Sequence, residues 1–501
     1  MHRLCTPSIG GVWKPLCHTN CAHNFRSGLL QRTLGVVPEP TEAGESIFVK
    51  AMGVLRKVIA GRVGILEPWT YEAVIARYSE PRLRKRYEEA ARSLRVEGLS
   101  TRKDTVVKGF VKAEKTKPSK IYKPRVIMAR DPRYNLELAS YLVPVEHAVY
   151  PAFRGWGKQF YTHTRLIGKG RNQTQRAGDI RRKFEAHSEM VAFEVDGKSF
   201  ESHLSLTQLR QEHALYSKVM PHSRLAKLLA WQLKFRGRGP GVKFTAEGVR
   251  ASGDFNTGLG NTLIMCGLVL GCASVLRTKF DFYADGDNAV VFVSRADYPR
   301  WRAELPGIFV SMGHEADVGP PGYCLEQVEF GQSRPVFVGS EYRMVRNPFK
   351  VMSCCMCSYV YYADIRADLP VLRAVAYCEA VLGSQVPVLQ VLAQRLLELT
   401  RGVTASAMER VKRRRLDNYE YAALLAKEFE WDAAAAKPVS DASRLSFECA
   451  WGVSVQEQLK MEAKLREITI PNSWSSGDFD EPVLGLSNPL YWPPSLDPVE
   501  G

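Results

Sequence analysis

Between Leu259 and Leu276 the chain reads LGNTLIMCGLVLGCASVL, 18 residues without a charge. A run of that length matches a membrane span. Asn261, Thr262 and three glycines within it, and a lead-in rich in Ser, Gly and Thr, predict a buried core helix instead. From Glu45 to Leu99 apolar positions recur at helical spacing, and the polar faces are heavily basic, as in RLRKRYEEAARSLR (82–95). Residues 1–40 show no clear period and read as irregular. YNLELASYLVPVEHAVY (134–150) is helical, whereas MVAFEVDGKSF (190–200) opens as a strand that ends on an acid. Helices are expected from Leu204 to Phe235, then a turn at RGRGPG (236–241). RASGDFNTGLGNTLIMC (250–266) is a loop running into the buried helix, and KFDFYADGDNAVVFV (279–293) a strand, turn, strand hairpin. EQVEFGQ (326–332) and PVFVG (335–339) are β-like, and residues 360–466 return to helix. No internal repeat appears.

Composition narrows the class. A chain of 501 residues with 45% hydrophobic and 24% charged positions excludes an intrinsically disordered protein and allows about three domains. Its net charge is +16, yet residues 471–501 hold five acids, six prolines and no Lys or Arg. Offsetting the tail's −5, residues 1–470 carry +21, an excess that suits a polyanion. Nine Lys or Arg face two acids between Arg102 and Arg125, and a second basic run, VKRRR, lies at 411–415. Eleven scattered cysteines, an odd number, fit a reducing compartment. Cys17, His18, Cys21 and His23 offer soft metal ligands, but their spacing matches no common zinc site. No apolar h-region opens the chain, so no signal peptide is read.

The candidate chemistry lies in the order of three pieces. Asp196 ends a strand, a Ser/Gly/Thr/Asn loop follows some 55 residues later, and Asp287 caps a hairpin. Each acid alone reads more readily as a turn cap. If the two strands are neighbours, their carboxylates converge and repel unless cations lie between them, and hard oxygen ligands suit Mg²⁺ or Mn²⁺. Two such ions about 3.5–4 Å apart serve phosphoryl transfer by activating a hydroxyl and stabilising leaving oxygens.

FEVDGKSFESH, RASGDFNTGLGNTLIMC, YADGDN and EQVEFGQSRPVF resemble, in order, motifs A, B, C and E of viral RNA-dependent RNA polymerases of the tombusvirus family and its relatives. KPRVIMARDPRYNLELASYLVPVEHAVY (123–150) is similar to motif F and the helix after it, FVKAEK (110–115) to the basic strand upstream, and SFECAWGVSVQEQLKMEAKL (446–465) to the C-terminal region. The resemblance covers roughly residues 45–466. It implies an α+β right-hand fold of fingers, palm and thumb, with a small antiparallel palm sheet packed on helices. The expected division is an irregular extension (1–44), fingers with motif F (45–185), palm (186–345, with 204–249 inserted for the fingers), thumb (346–470) and a loose acidic tail (471–501).

The same resemblance implies roles. Asp196 and Asp287 hold two Mg²⁺ or Mn²⁺ ions, with Glu201, Asp285 and Asn288 as helpers. Lys112, Lys115, Lys123 and Arg125 face the nucleotide phosphates. Ser252 and Gly253 form a flexible loop beside the template and nascent pair, and Thr257 and Asn261 reach the ribose, the latter together with Glu201. Expected partners are RNA template and product, NTPs and a viral auxiliary protein. That protein would bring a chain with no membrane span of its own to membrane-associated replication complexes in the host cytoplasm. Three departures stand out: Glu201 and Asn288 where the family usually has Asp, and no Lys in residues 306–322, which leaves His314 on a surface loop as the candidate general acid. A reverse transcriptase is disfavoured because it lacks the SGxxNTxxxN loop spanning Ser252–Asn261. A catalytically impaired RNA-binding scaffold is the alternative that Glu201 and Asn288 would support.

Overall fold

The computed structural model describes residues 2–118, 123–358, 365–404, 406–408 and 437–470. The acidic tail and the 411–415 basic run lie outside the described residues. In chain order come β1 (His2–Arg3), α1 (Ala22–Arg32), α2 (Glu42–Val63), α3 (Tyr71–Ile75), α4 (Pro81–Val96), β2 (Val107–Val111), β3 (Val126–Ala129) and α5 (Pro132–Ala152). Then follow α6 (Gln173–Phe184), β4 (Met190–Gly197), α7 (Leu206–Val219), α8 (Ser223–Ala230), β5 (Lys234–Gly239), β6 (Val242–Glu247), α9 (Thr257–Leu276), β7 (Phe280–Asp285) and β8 (Asn288–Ser294). The C-terminal part holds α10 (Tyr298–Ser311), β9 (Ala316–Val318), β10 (Ser333–Val338), β11 (Glu341–Arg346), α11 (Pro348–Cys354), β12 (Cys357–Ser358), α12 (Ile365–Leu382) and α13 (Leu389–Leu399), then helices Asp441–Trp451 and Val455–Arg466. The chain is thus a mixture of helix and small sheets.

The central sheet has the order β7-β8-β4-β9, all antiparallel. Its strands read as nearly continuous apolar runs because both faces are covered. Phe193, Phe280, Phe282, Val291 and Val293 pack with α2, α9 and α10 on one side, while Tyr283, Val290 and Phe292 meet Ala177 and Ile180 of α6 and Phe330 on the other. α9 is the uncharged run of the sequence. It is long and apolar enough to cross a membrane, and 83% of its most apolar window is buried inside the protein. Gly267 lets α2 approach closely: a Cβ there would lie 2.6 Å from Met52 Sδ.

A second four-stranded sheet has the order β3-β2-β5-β6. Here three expectations need correction. Residues 1–44 are not irregular: α1 packs on β2 and β3, and its fully buried Phe25 ring fills the space that a Cβ at Gly109 or Gly239 would need. The segment before it crosses the molecule, from Leu4 N bonded to Met356 O (2.9 Å) to the Leu16–Thr116 bridge. Helix also stops short of Phe235, which belongs to the β5–β6 hairpin, with only Pro240 and Gly241 left between the strands. EQVEFGQ is no strand: Glu326 and Gln327 end a 3-10 turn at Leu325–Gln327, whereas Pro335–Val338 of PVFVG lie in β10.

Candidate active site

Strand pairing brings the two acids together. β4 and β8 run in a register that sets Asp196 opposite Asn288, and Gly197 N donates to Asp287 O at 3.0 Å. Asp287 itself sits in the two-residue turn between β7 and β8, where Gly286 takes a positive φ of 69°. That turn is held from below: Thr262 of α9 accepts Gly286 N (2.8 Å) and donates to Gly258 O (2.7 Å). On its other side Asp196 faces Asp317 of β9, an acid that sequence reading passed over.

Such crowding shows in the acidities. Asp196 opens to solvent at the strand end, yet partial removal from water, then Asp287 and Asp317, push its carboxyl up to about 6. Burial, then Glu201, raises Asp287 as well, against the pull of Arg125 and Lys169. Carboxylates that repel each other in this way fit a hard divalent cation by charge and by donor type. Among the described residues no group of three or more His, Cys, Asp or Glu side chains is placed to hold a metal ion.

Around the pair, the expected residues divide. Asn261 Nδ2 donates to Glu201 Oε1 at 3.3 Å, so these two do meet. The buried Asn261 Oδ1 has no hydrogen-bond donor among the described residues. Thr257 donates instead to Asp254 O (2.9 Å) within its own loop. Ser252 and Gly253 are not free: Ser252 Oγ receives Met128 N (3.1 Å) and donates to Val126 O (3.3 Å), and Gly253 bridges to Ala129. Lys112 and Arg125 share Glu114, at 2.7 and 3.0 Å. Arg125 lies within the fields of Glu201 and Asp287, and it lines a cleft with Ser199, Glu201, Arg250, Ser252 and Arg32. Arg32, the last residue of α1, was missed from sequence because nothing local linked the N-terminal segment to this site. Its Nε donates to the carbonyl of the exposed Lys123 at 3.1 Å.

Three assignments change. Asp285 is committed to Lys169 (2.8 Å) and Arg176 (2.5 Å), which neutralise it away from the acid pair, so it is not a metal helper. Lys115 Nζ donates to Cys354 O at 2.9 Å, which ties the loop after β2 to α11 rather than to phosphates. His314 is on no surface loop: it is 1% exposed, bonds Gln208 Oε1 (3.0 Å), stacks near Phe200 and His203, and is pushed down to about 3 by burial and then His203. A buried imidazole that stays neutral at pH 7 lacks the acidic imidazolium proton, and its Nε2–H is already given to Gln208 Oε1.

The site thus brings together the acids Asp196 and Asp287 at adjacent strand ends, Arg125 and the Ser252–Gly253 loop. The chain belongs to the viral RNA-dependent RNA polymerase family, whose model matches residues 5–473. It is 31% identical to the RNA-directed RNA polymerase of Maize chlorotic mottle virus, over 96% of this chain and 50% of that protein. The proteins of the same name from Cymbidium ringspot virus and Tomato bushy stunt virus are each 31% identical over 90% of this chain and 54% of their own length. The chain thus spans about half the length of the curated relatives it matches.

Proposed function

We propose that this chain performs RNA-templated nucleotidyl transfer for a positive-strand RNA virus, in a right-hand arrangement with fingers at 45–185, palm at 186–345 and thumb at 346–470. The convergence of Asp196 and Asp287 through the β4–β8 register, beneath Arg125, carries this reading. A growing 3′-hydroxyl attacks the α-phosphate of an NTP, the new phosphodiester bond forms, and pyrophosphate leaves. Arg125, Lys112 and Lys123 supply positive charge to the triphosphate, Arg125 with a planar fork. Glu201 and Asn261 hold the ribose: the orphaned Asn261 Oδ1 accepts a sugar hydroxyl that a deoxynucleotide lacks, and leaving it unpaired costs about 1–3 kcal/mol. Asp196 and Asp287 would hold Mg²⁺ or Mn²⁺, which supplies Lewis-acid activation of the hydroxyl and charge neutralisation at the phosphates.

RNA template and product lie along the basic body in this scheme. A viral auxiliary protein and, through it, membrane-bound replication complexes of the host cytoplasm complete the proposed setting. The test is incorporation of labelled NTPs by purified protein on an RNA template in Mg²⁺ and in Mn²⁺. Wild type should extend the RNA, and Asp287→Ala should lose at least about 10²-fold in rate. Equal rates in the two proteins would reject the assignment.

A further inference from the structure

The loop that carries Ser252 and Gly253 is fastened to β3, the strand that Arg125 immediately precedes, and its fastening includes a buried ion pair. Arg130 follows β3 directly, and Asp254 follows Gly253. Arg130 Nε and Nη2 both donate to the Asp254 carboxylate, the second at 3.3 Å, and the two side chains are 0% and 2% exposed. Nη1 donates to Thr105 O at 2.6 Å, and the guanidinium lies 4.9 Å from the Phe235 ring centre and 5.3 Å from that of Tyr134. All the faces of the fork are therefore engaged. On either side of the pair the contacts continue: Ser252 Oγ bonds Met128 N and Val126 O, and Asn135 Nδ2 donates to Gly253 O at 3.2 Å. A Cβ at Gly253 would collide with the Met128 carbonyl, so the loop backbone lies directly on β3.

We infer that Arg130 and Asp254 are positioning residues that lock the Ser252–Asp254 loop to β3, so that the distance between triphosphate and ribose contacts is set by one rigid unit. This rests on the proposed function, which places Arg125 at the phosphates and Glu201 with Asn261 at the sugar. Arg125 immediately precedes β3, while Arg250, two residues before Ser252, bonds Glu201 O through its backbone N–H at 3.1 Å. The pair thus ties the two contact groups from the side remote from the ligand. A rigid spacing matters because a sugar hydroxyl discriminates only if the phosphate end cannot shift to accommodate its absence. With the tie cut, the nucleotide is held less well and its sugar is read less strictly.

The experiment compares ATP and dATP, both as substrates and in equilibrium binding to the 501-residue chain on a primed RNA template. Asp254→Asn keeps the shape and removes the charge, and Arg130→Lys keeps the charge and removes the fork. Each is expected to raise KM for ATP about tenfold and to lower the ATP-over-dATP preference about tenfold, with kcat for ATP changed less than threefold. Asn135→Ala, which cuts a peripheral tie, should move both in the same direction by a smaller factor and serves if the buried variants do not fold. Lys183→Met removes one partner of a distant pair with Asp281, both side chains 0% exposed. It should lower Tm without changing the preference. Folded variants that keep the wild-type preference and lose only Tm, or a wild type with no preference in binding, would overturn the inference. Incorporation by wild type tests the proposed function separately, since the binding ratio reads the pair without turnover.

Discussion

Asn288, the first residue of β8, pairs with Asp196 of β4, at a position where the polymerase motif it resembles usually has a second Asp. An amide keeps an acceptor oxygen but brings no negative charge, which weakens the hold on a second cation and lessens repulsion around Asp196. Asn288→Asp is therefore expected to keep incorporation activity while shifting the ratio of Mg²⁺- to Mn²⁺-supported rates. A ratio identical to wild type would refute this. Asp196 makes a second prediction. Its carboxyl is raised to about 6 in the folded protein, from an ordinary value near 4. Between those values the folded state binds more protons than the unfolded one, so stability falls as pH rises through the window. In EDTA, Asp196→Asn should flatten that fall and raise Tm at pH 7.5, even as it abolishes incorporation. An unchanged pH dependence of Tm would show that the carboxylates do not repel as described.

At the scale of elements, α9 links a core pattern to the site. Its apolar residues made it readable from composition alone, because a helix buried all round needs no amphipathic face. The same uniformity hid the job of Thr262, whose hydroxyl accepts Gly286 N from the turn that carries Asp287. Thr262→Val keeps the volume and leaves that N–H without its partner, at a cost of about 1–3 kcal/mol. The prediction is a modest loss in Tm with a larger loss in kcat; incorporation at the wild-type rate would mean that the turn holds itself. Other elements were misread for a matching reason. β5, KFRGRG, is rich in Gly, Arg and Lys and exists as a strand because it pairs with β6 and with β2, the latter more than 100 residues away. α1 has a mean polar character and is held by Phe25 beneath two glycines of that sheet, which no local pattern announces.

For the whole molecule, charge is the governing quantity. The excess of +21 over residues 1–470 predicts that RNA binding weakens steeply with salt, by about tenfold or more between 50 and 200 mM, checked by titration of a labelled RNA. A flat response would detach the basic surface from RNA. Chain path is the second whole-molecule feature: the first residues pair β1 with β12, and α1 then delivers Arg32 beside Arg125, joining distant parts of the chain at one cleft. Sequence by itself determined the order of the motifs, the two acids at strand ends, the core helix and the positive body, because each is written in local periodicity, residue type or a motif's spacing. Tertiary structure alone decided that Asp285 is neutralised, that Lys115 turns to α11, that His314 is buried and neutral, and that Arg130 bolts the Ser252 loop to β3. Those outcomes depend on which charge or ring lies within a few ångströms, and partners more than 100 residues apart leave no local trace of their meeting.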